Sequence, residues 1–160
     1  MKKNKISPGQ SGAPALPEGQ IPEIRPGQSV ELLKELHILT RDGKLNQDSR
    51  RKLKQVYHLY QFIEKLMNEL PQASGGNFTL ADHGAGKSYL GFILYDLYFK
   101  HLPQSHLYGI ETRAELVDKS RVLANKLGFD RMSFLNVSVE AATQLEELPK
   151  TFDVVTALHA

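Results

Sequence analysis

Residues 80–92 read LADHGAGKSYLGF, and the parsing of this stretch decides the fold. Apolar residues lead into it from Phe78, Gly84 and Gly86 sit at its turn, and an apolar run, YLGFILYDLYF, follows Ser88. The order predicts a strand over FTLAD, a glycine turn, and a helix from Ser88 to about His101. The same rhythm continues downstream. HLYGIE reads as a second strand, and Ala114 to Leu127 as a helix closed by Gly128 at its C′ position. MSFLNV reads as a third strand, Glu140 to Leu148 as a short helix, and FDVVTAL as a fourth strand. Strands alternating with helices through short loops predict an α/β fold, a parallel sheet with helices on its faces. In such sheets ligands bind outside the carboxyl ends of the strands, where the glycine turn falls.

The chain of 160 residues has room for one domain of ordinary size. Its 41% hydrophobic and 24% charged residues are those of a globular protein, and a net charge of +2 argues for no polyanionic partner by itself. Without cysteine there is neither a disulfide nor a thiolate metal site, and no metal centre is expected. A cysteine-free chain fits a reducing cytoplasm, the expected location. MKKNK is followed by ISPGQSGAPALPEG rather than an apolar stretch, so no secretory signal is read. YLGFILYDLYF is broken by Asp96 and too short to span a bilayer, so no membrane partner is expected.

Three regions follow from the composition. Residues 1–27 hold Pro8, Pro14, Pro17, Pro22 and Pro26 among glycines, and are expected to be a disordered tail. Residues 28–72 form a helical region. Ser29 caps SVELLKELHIL, with Glu31 in its first turn, and Asp42-Gly43 marks a turn. A longer helix runs from about Gln47 to Leu70, with Leu53, Val56, Tyr57, Tyr60, Ile63, Met67 and Leu70 on one apolar face. Pro71 and the PQASGGN run end it, and residues 73–160 carry the strand-helix alternation.

Three nucleotide-like ligands compete for the glycine turn. A phosphate-wrapping loop, G-x-x-x-x-G-K-[ST], aligned on Gly86-Lys87-Ser88 needs a glycine where Ala81 stands, and Asp82 inside a phosphate ring would repel the ligand. The dinucleotide pattern G-x-G-x-x-G fits Gly84 and Gly86 but meets Tyr89 where close helix-strand packing wants glycine. The third pattern, D-x-G-x-G, is met by Asp82, Gly84 and Gly86. It suits S-adenosyl-L-methionine, whose ammonium wants a carboxylate, while glycines let the backbone pass close to the ligand. The following helix turns free N–H groups towards the methionyl carboxylate. Glu111 ends the second strand 25 residues beyond Gly86, where a carboxylate accepts hydrogen bonds from both ribose hydroxyls.

DHGAGKSYLGF, residues 82–92, resembles the first motif of class I S-adenosylmethionine-dependent methyltransferases, in the subgroup written D-x-G-x-G-K-S-Y-L-x-F. The resemblance covers about residues 75–160 and implies a Rossmann-like sheet, of which these are the first four strands. It implies that Asp82, Gly84 and Gly86 line the methionine part of the cofactor, and His83, Ala85 and Lys87 beside them are counted among the cofactor-binding residues. Glu111 would then bind the ribose. The family's adenine-side acid falls on Ser138, a departure from the pattern, and the Val139 backbone N–H is the alternative contact to the ring. His83 is also read as a core histidine satisfied by neighbouring backbone.

The family's sheet has seven strands and this sequence supplies four, so the chain is expected to be the N-terminal part of a longer enzyme and inactive alone. No catalytic base is assigned, His159 included. For the methyl acceptor, RNA is favoured over protein or a small molecule. Arg41, Lys44, Arg50, Arg51, Lys52 and Lys54 crowd the start of the long helix, where cations oppose the helix dipole. The opposing reading is a solvated face balanced by Asp42 and Asp48. A non-catalytic methyltransferase-like binding module is the rival from another class, and a P-loop-like nucleotide-binding protein the third.

Overall fold

Parallel pairing buries a strand on both faces, which is why the first strand is apolar through its middle. In the computed structural model, which describes residues 22–71 and 77–158, β1 (Thr79–His83) lies inside a four-stranded sheet. The other strands are β2 (His106–Ile110), β3 (Met132–Leu135) and β4 (Val154–Thr156), in the order β3-β2-β1-β4 with every pair parallel. The fold is Rossmann-like.

Register places Asp82 between Gly109 of β2 and Thr156 of β4, and Gly109 beside Phe134 of β3. These residues share one sheet face, since side chains alternate along a strand. Gly109 is required by packing: a Cβ there would stand 2.7 Å from the Phe134 ring. That face carries the main core, in which Phe92 packs on Phe134 at 5.7 Å between ring centroids. On the opposite face Ala81 and Ile110 pack with Ala142 and Leu148.

The helices are α1 (Val30–Glu35), α2 (Gln47–Asn68), α3 (Tyr89–Leu97), α4 (Ala114–Leu127) and α5 (Val139–Ala142). Ser29 caps α1, its Oγ accepting the Leu32 N–H, and Gly128 closes α4 in the left-handed conformation at φ 69°. The long helix buries Leu53, Tyr60, Ile63 and Met67, with Val56, Tyr57 and Leu70 partly buried against the same core. No described helix is long and apolar enough to cross a membrane.

Several elements depart from the sequence expectation: α1 ends at Glu35, short of the expected SVELLKELHIL, and β4 takes only Val154–Thr156 of FDVVTAL. The helix after β1 ends at Leu97 and continues as a single 3-10 turn over Phe99–His101. The segment expected to be helical from Glu140 to Leu148 is α-helical only to Ala142. Beyond it Leu145 bonds back to Ala142 and Leu148 to Leu145, a three-residue winding that still buries Leu148. The expected disordered tail ran to residue 27, but residues 22–27 form turns anchored on α2. There the Arg25 N–H donates to the Tyr57 hydroxyl at 3.2 Å and its guanidinium lies over the Tyr57 and Tyr60 rings. Residues 1–21 and most of the PQASGGN linker lie outside the described residues.

The N-terminal helices are fastened to the sheet unit through a buried carboxylate. Asp96 of α3, with no exposed surface, accepts the Ser29 N–H at 2.9 Å and pairs with Lys100 at 2.7 Å. Lys100 also donates to the Gly27 carbonyl at 2.6 Å.

Candidate functional site

The carboxyl ends of β1, β2 and β3 open onto a cleft of about 800 Å³. Its floor is the turn from β1 into α3. Gly84 and Gly86 adopt φ of 64° and 58°, values that a side chain makes costly. The turn is tied to β2 twice: the Ala85 N–H donates to the Ile110 carbonyl at 3.0 Å, and the Gly86 N–H to Glu111 Oε2 at 2.8 Å. Ser88 is also left-handed, at φ 61°, and buried; its Oγ accepts from the Ser120 hydroxyl at 3.1 Å.

Asp82 is buried at one side of the cleft, and its Oδ1 accepts the Thr156 hydroxyl at 2.7 Å. Glu111 stands across from it, just past the end of β2 and buried. Arg113 meets Glu111 with both prongs of its fork, Nε on Oε1 at 3.0 Å and Nη2 on Oε2 at 3.1 Å. The Arg113 backbone N–H adds a further bond to Oε1 at 3.0 Å. The Arg113 side chain is the largest of several influences that pull the Glu111 carboxyl down to about 2, against the opposing effect of burial. The group is therefore ionised at neutral pH. Asn136 braces the strand end, its Nδ2 donating to the Glu111 and Thr112 carbonyls at 3.2 and 2.8 Å.

Of the sequence-derived site residues, Asp82, Gly84, Ala85, Gly86, Lys87, Glu111, Ser138 and Val139 all line this one cleft. His83 is not among its lining residues; it follows Asp82 on the strand and its side chain projects to the other sheet face. Lys87 is exposed. Ser138 caps α5, its Oγ accepting the Ala141 N–H at 3.1 Å, so one of its lone pairs is already committed. His159 lies outside the described residues. The sequence reading missed Arg113, Asn136 and Thr156, which orient the two acids rather than carry a motif of their own.

A family described as "Methyltransferase domain" matches residues 51–160. The chain belongs to that family. No curated protein matches at a significant level. Among solved structures, the methyltransferase domain is similar to the N-terminal domain of human METTL16 in complex with SAH. That likeness has a TM-score of 0.51 at 11% identity, over 64% of this chain and 39% of that one. A SAM-dependent methyltransferase from Aquifex aeolicus is 25% identical over 51% of this chain and 40% of its own, at a TM-score of 0.38. PKMT2 from Rickettsia typhi in complex with AdoHcy is 18% identical over 51% and 15%, at 0.41. The chain thus spans less than half the length of each of these solved relatives.

The basic cluster of α2 is partly balanced. Arg51 and Lys52 share the Asp48 carboxylate at 2.6 and 2.8 Å, and Arg50 meets Glu23 at 3.4 Å. Among the described residues, Lys54 makes no ion pair.

Proposed function

We propose that this methyltransferase domain binds S-adenosyl-L-methionine in the cleft between Asp82 and Glu111 and takes part in methyl transfer to an acceptor, RNA being the favoured class. The motif DHGAGKSYLGF is read as that of the D-x-G-x-G-K-S-Y-L-x-F subgroup. One observation carries the cofactor reading: two buried acids, from the ends of adjacent strands, face one cleft across a glycine turn that has no side chain to fill it.

The residues present fit the group. Gly84 and Gly86, both at positive φ, carry the backbone along the cleft without side chains. Asp82 would accept the ammonium, held by the Thr156 hydroxyl in the orientation that faces the cleft. Glu111 would accept the ribose hydroxyls, already ionised and aimed by the Gly86 and Arg113 amides. Ser138 and the Val139 N–H would meet the adenine edge. When bound, S-adenosyl-L-methionine supplies an electrophilic methyl on a sulfonium. The chain's contribution is to fix its position and orientation, which accounts for much of the acceleration in such transfers.

RNA is favoured because four cations, Arg50, Arg51, Lys52 and Lys54, face two carboxylates at the start of α2, where the helix dipole adds positive potential. Calorimetric titration with S-adenosyl-L-methionine, S-adenosylhomocysteine, ATP and NAD tests the cofactor. The first two should bind and the others should not. Tight, magnesium-dependent ATP binding would replace this reading with a phosphate-binding loop, and binding of none of the four would favour the non-catalytic module.

A further inference from the structure

Glu111 has its acceptor positions filled. A carboxylate offers about four. Oε2 takes the Gly86 amide at 2.8 Å and Arg113 Nη2 at 3.1 Å; Oε1 takes the Arg113 amide and Nε, each at 3.0 Å. The Thr112 hydroxyl stands further off Oε1 at 3.4 Å. A ribose diol needs two of these positions. The Gly86 and Arg113 amides belong to backbone fixed by the turn into α3 and the start of α4. The other two strong bonds come from one guanidinium, on a side chain 60% exposed.

We propose that Arg113 is a positioning residue that holds Glu111 in the ligand-free protein and is displaced from it by the ribose diol. This rests on the cofactor reading above. A second geometric fact agrees. The Arg113 Nη2 lies 3.6 Å from where a Gly86 Cβ would be, so the guanidinium occupies space directly above the glycine turn, inside the cleft it lines. The ribose diol and the guanidinium compete for the same acceptor atoms. Once the fork leaves, the two backbone amides still aim the carboxylate, so the acid is preorganised without its counterion. Lysine cannot replace the fork, because a single ammonium does not span both carboxylate oxygens.

The test is amide and guanidinium ¹⁵N NMR on the 160-residue chain, titrated with S-adenosylhomocysteine and with its analogue lacking the 2′- and 3′-hydroxyls. With the diol-bearing ligand, the Gly86 amide should shift and the Arg113 Nε–H should lose its carboxylate-bonded position and its slowed exchange. With the dideoxy ligand, Gly86 should shift while Arg113 keeps its bond. In Arg113→Met, affinity for S-adenosylhomocysteine should rise about two- to fivefold, the scale of an exposed ion pair, and affinity for the dideoxy ligand should not. Arg113→Lys should fall between. Gly86 shifting with Arg113 still bonded under the diol-bearing ligand overturns the proposal, and so does weaker or unchanged affinity in Arg113→Met. If neither ligand moves Gly86, the cofactor reading itself fails and takes this one with it.

Discussion

Glu111 concentrates the chemistry of the cleft in one side chain. Its carboxyl titrates near 2, below an ordinary value of 4.5, with the Arg113 side chain the main cause. A pKa depressed on folding adds stability that is fully present above the unfolded value and is lost as pH falls from about 5 towards 2. Arg113 is mostly exposed, so solvent screening limits the contribution to the order of 1–2 kcal/mol. Denaturant unfolding of the wild type and Glu111→Gln across that range should show a gap that closes with acid; a gap independent of pH would contradict the pairing. The variant should also bind S-adenosylhomocysteine at least about tenfold more weakly, since each charge-assisted bond contributes roughly 1.5–3 kcal/mol. That Glu111, Asp82, Gly84 and Gly86 converge on one cleft was legible in the sequence, because it depends on residue type and spacing at two strand ends. Arg113 was not, because nothing in its spacing distinguishes a solvated arginine from one folded back on its neighbour. Its role depends on the bend between β2 and α4. His83 was grouped with the loop by adjacency, and the strand's alternation then turned it away.

The elements follow the sequence wherever one periodicity runs unbroken, as in α2 and α4. They depart from it where two windings suit the same residues. Ala142, Leu145 and Leu148 recur every three residues, which serves an α-helical face and a succession of tighter turns equally, and the chain takes the turns. The attachment of the N-terminal helices was also hidden, because Asp96 looks like an interruption in an apolar run until Ser29 and Lys100 are placed beside it. That carboxylate should matter more than its position suggests. Asp96→Ala leaves the Ser29 N–H without its acceptor and removes a buried charged partner from Lys100, at a cost of about 2–3 kcal/mol. Denaturation should report that loss, and limited proteolysis should cut first around α1 and the turns before it. Asp96→Asn keeps an acceptor for Ser29 and should lose less. Equal stability of Asp96→Ala and wild type would mean that the helices dock through apolar packing and the other polar ties, Lys126 with Glu31 and Glu35 and Tyr98 with Asn68.

At the scale of the molecule, chemistry gathers at the carboxyl ends of the strands, while the densest positive charge stands at the start of α2. The parallel sheet with helices on its faces was legible because strand-helix alternation admits few arrangements, while the order β3-β2-β1-β4 emerged only with the structure. The charge was legible only as a cluster, since pairing depends on which carboxylates the fold brings near. Asp48 serves two cations and Glu23 reaches Arg50 from the turn before α1, while Asp42 makes no ion pair among the described residues. Arg50 and Arg51 remain 57% and 70% exposed, so a phosphate can exchange with either partner without a buried charge being stranded. If these two residues contact a single-stranded RNA backbone, each contact releases about 0.7 counterion, and log K falls with log salt accordingly. Replacing both with glutamate should then weaken RNA binding across sequences and shallow the salt slope by about 1.4. Fluorescence anisotropy over a salt series reads both quantities, and circular dichroism checks that the variant keeps its helices. An unchanged slope would take the cluster out of acceptor binding and leave it as a solvated face whose charges answer only to Asp48 and Glu23.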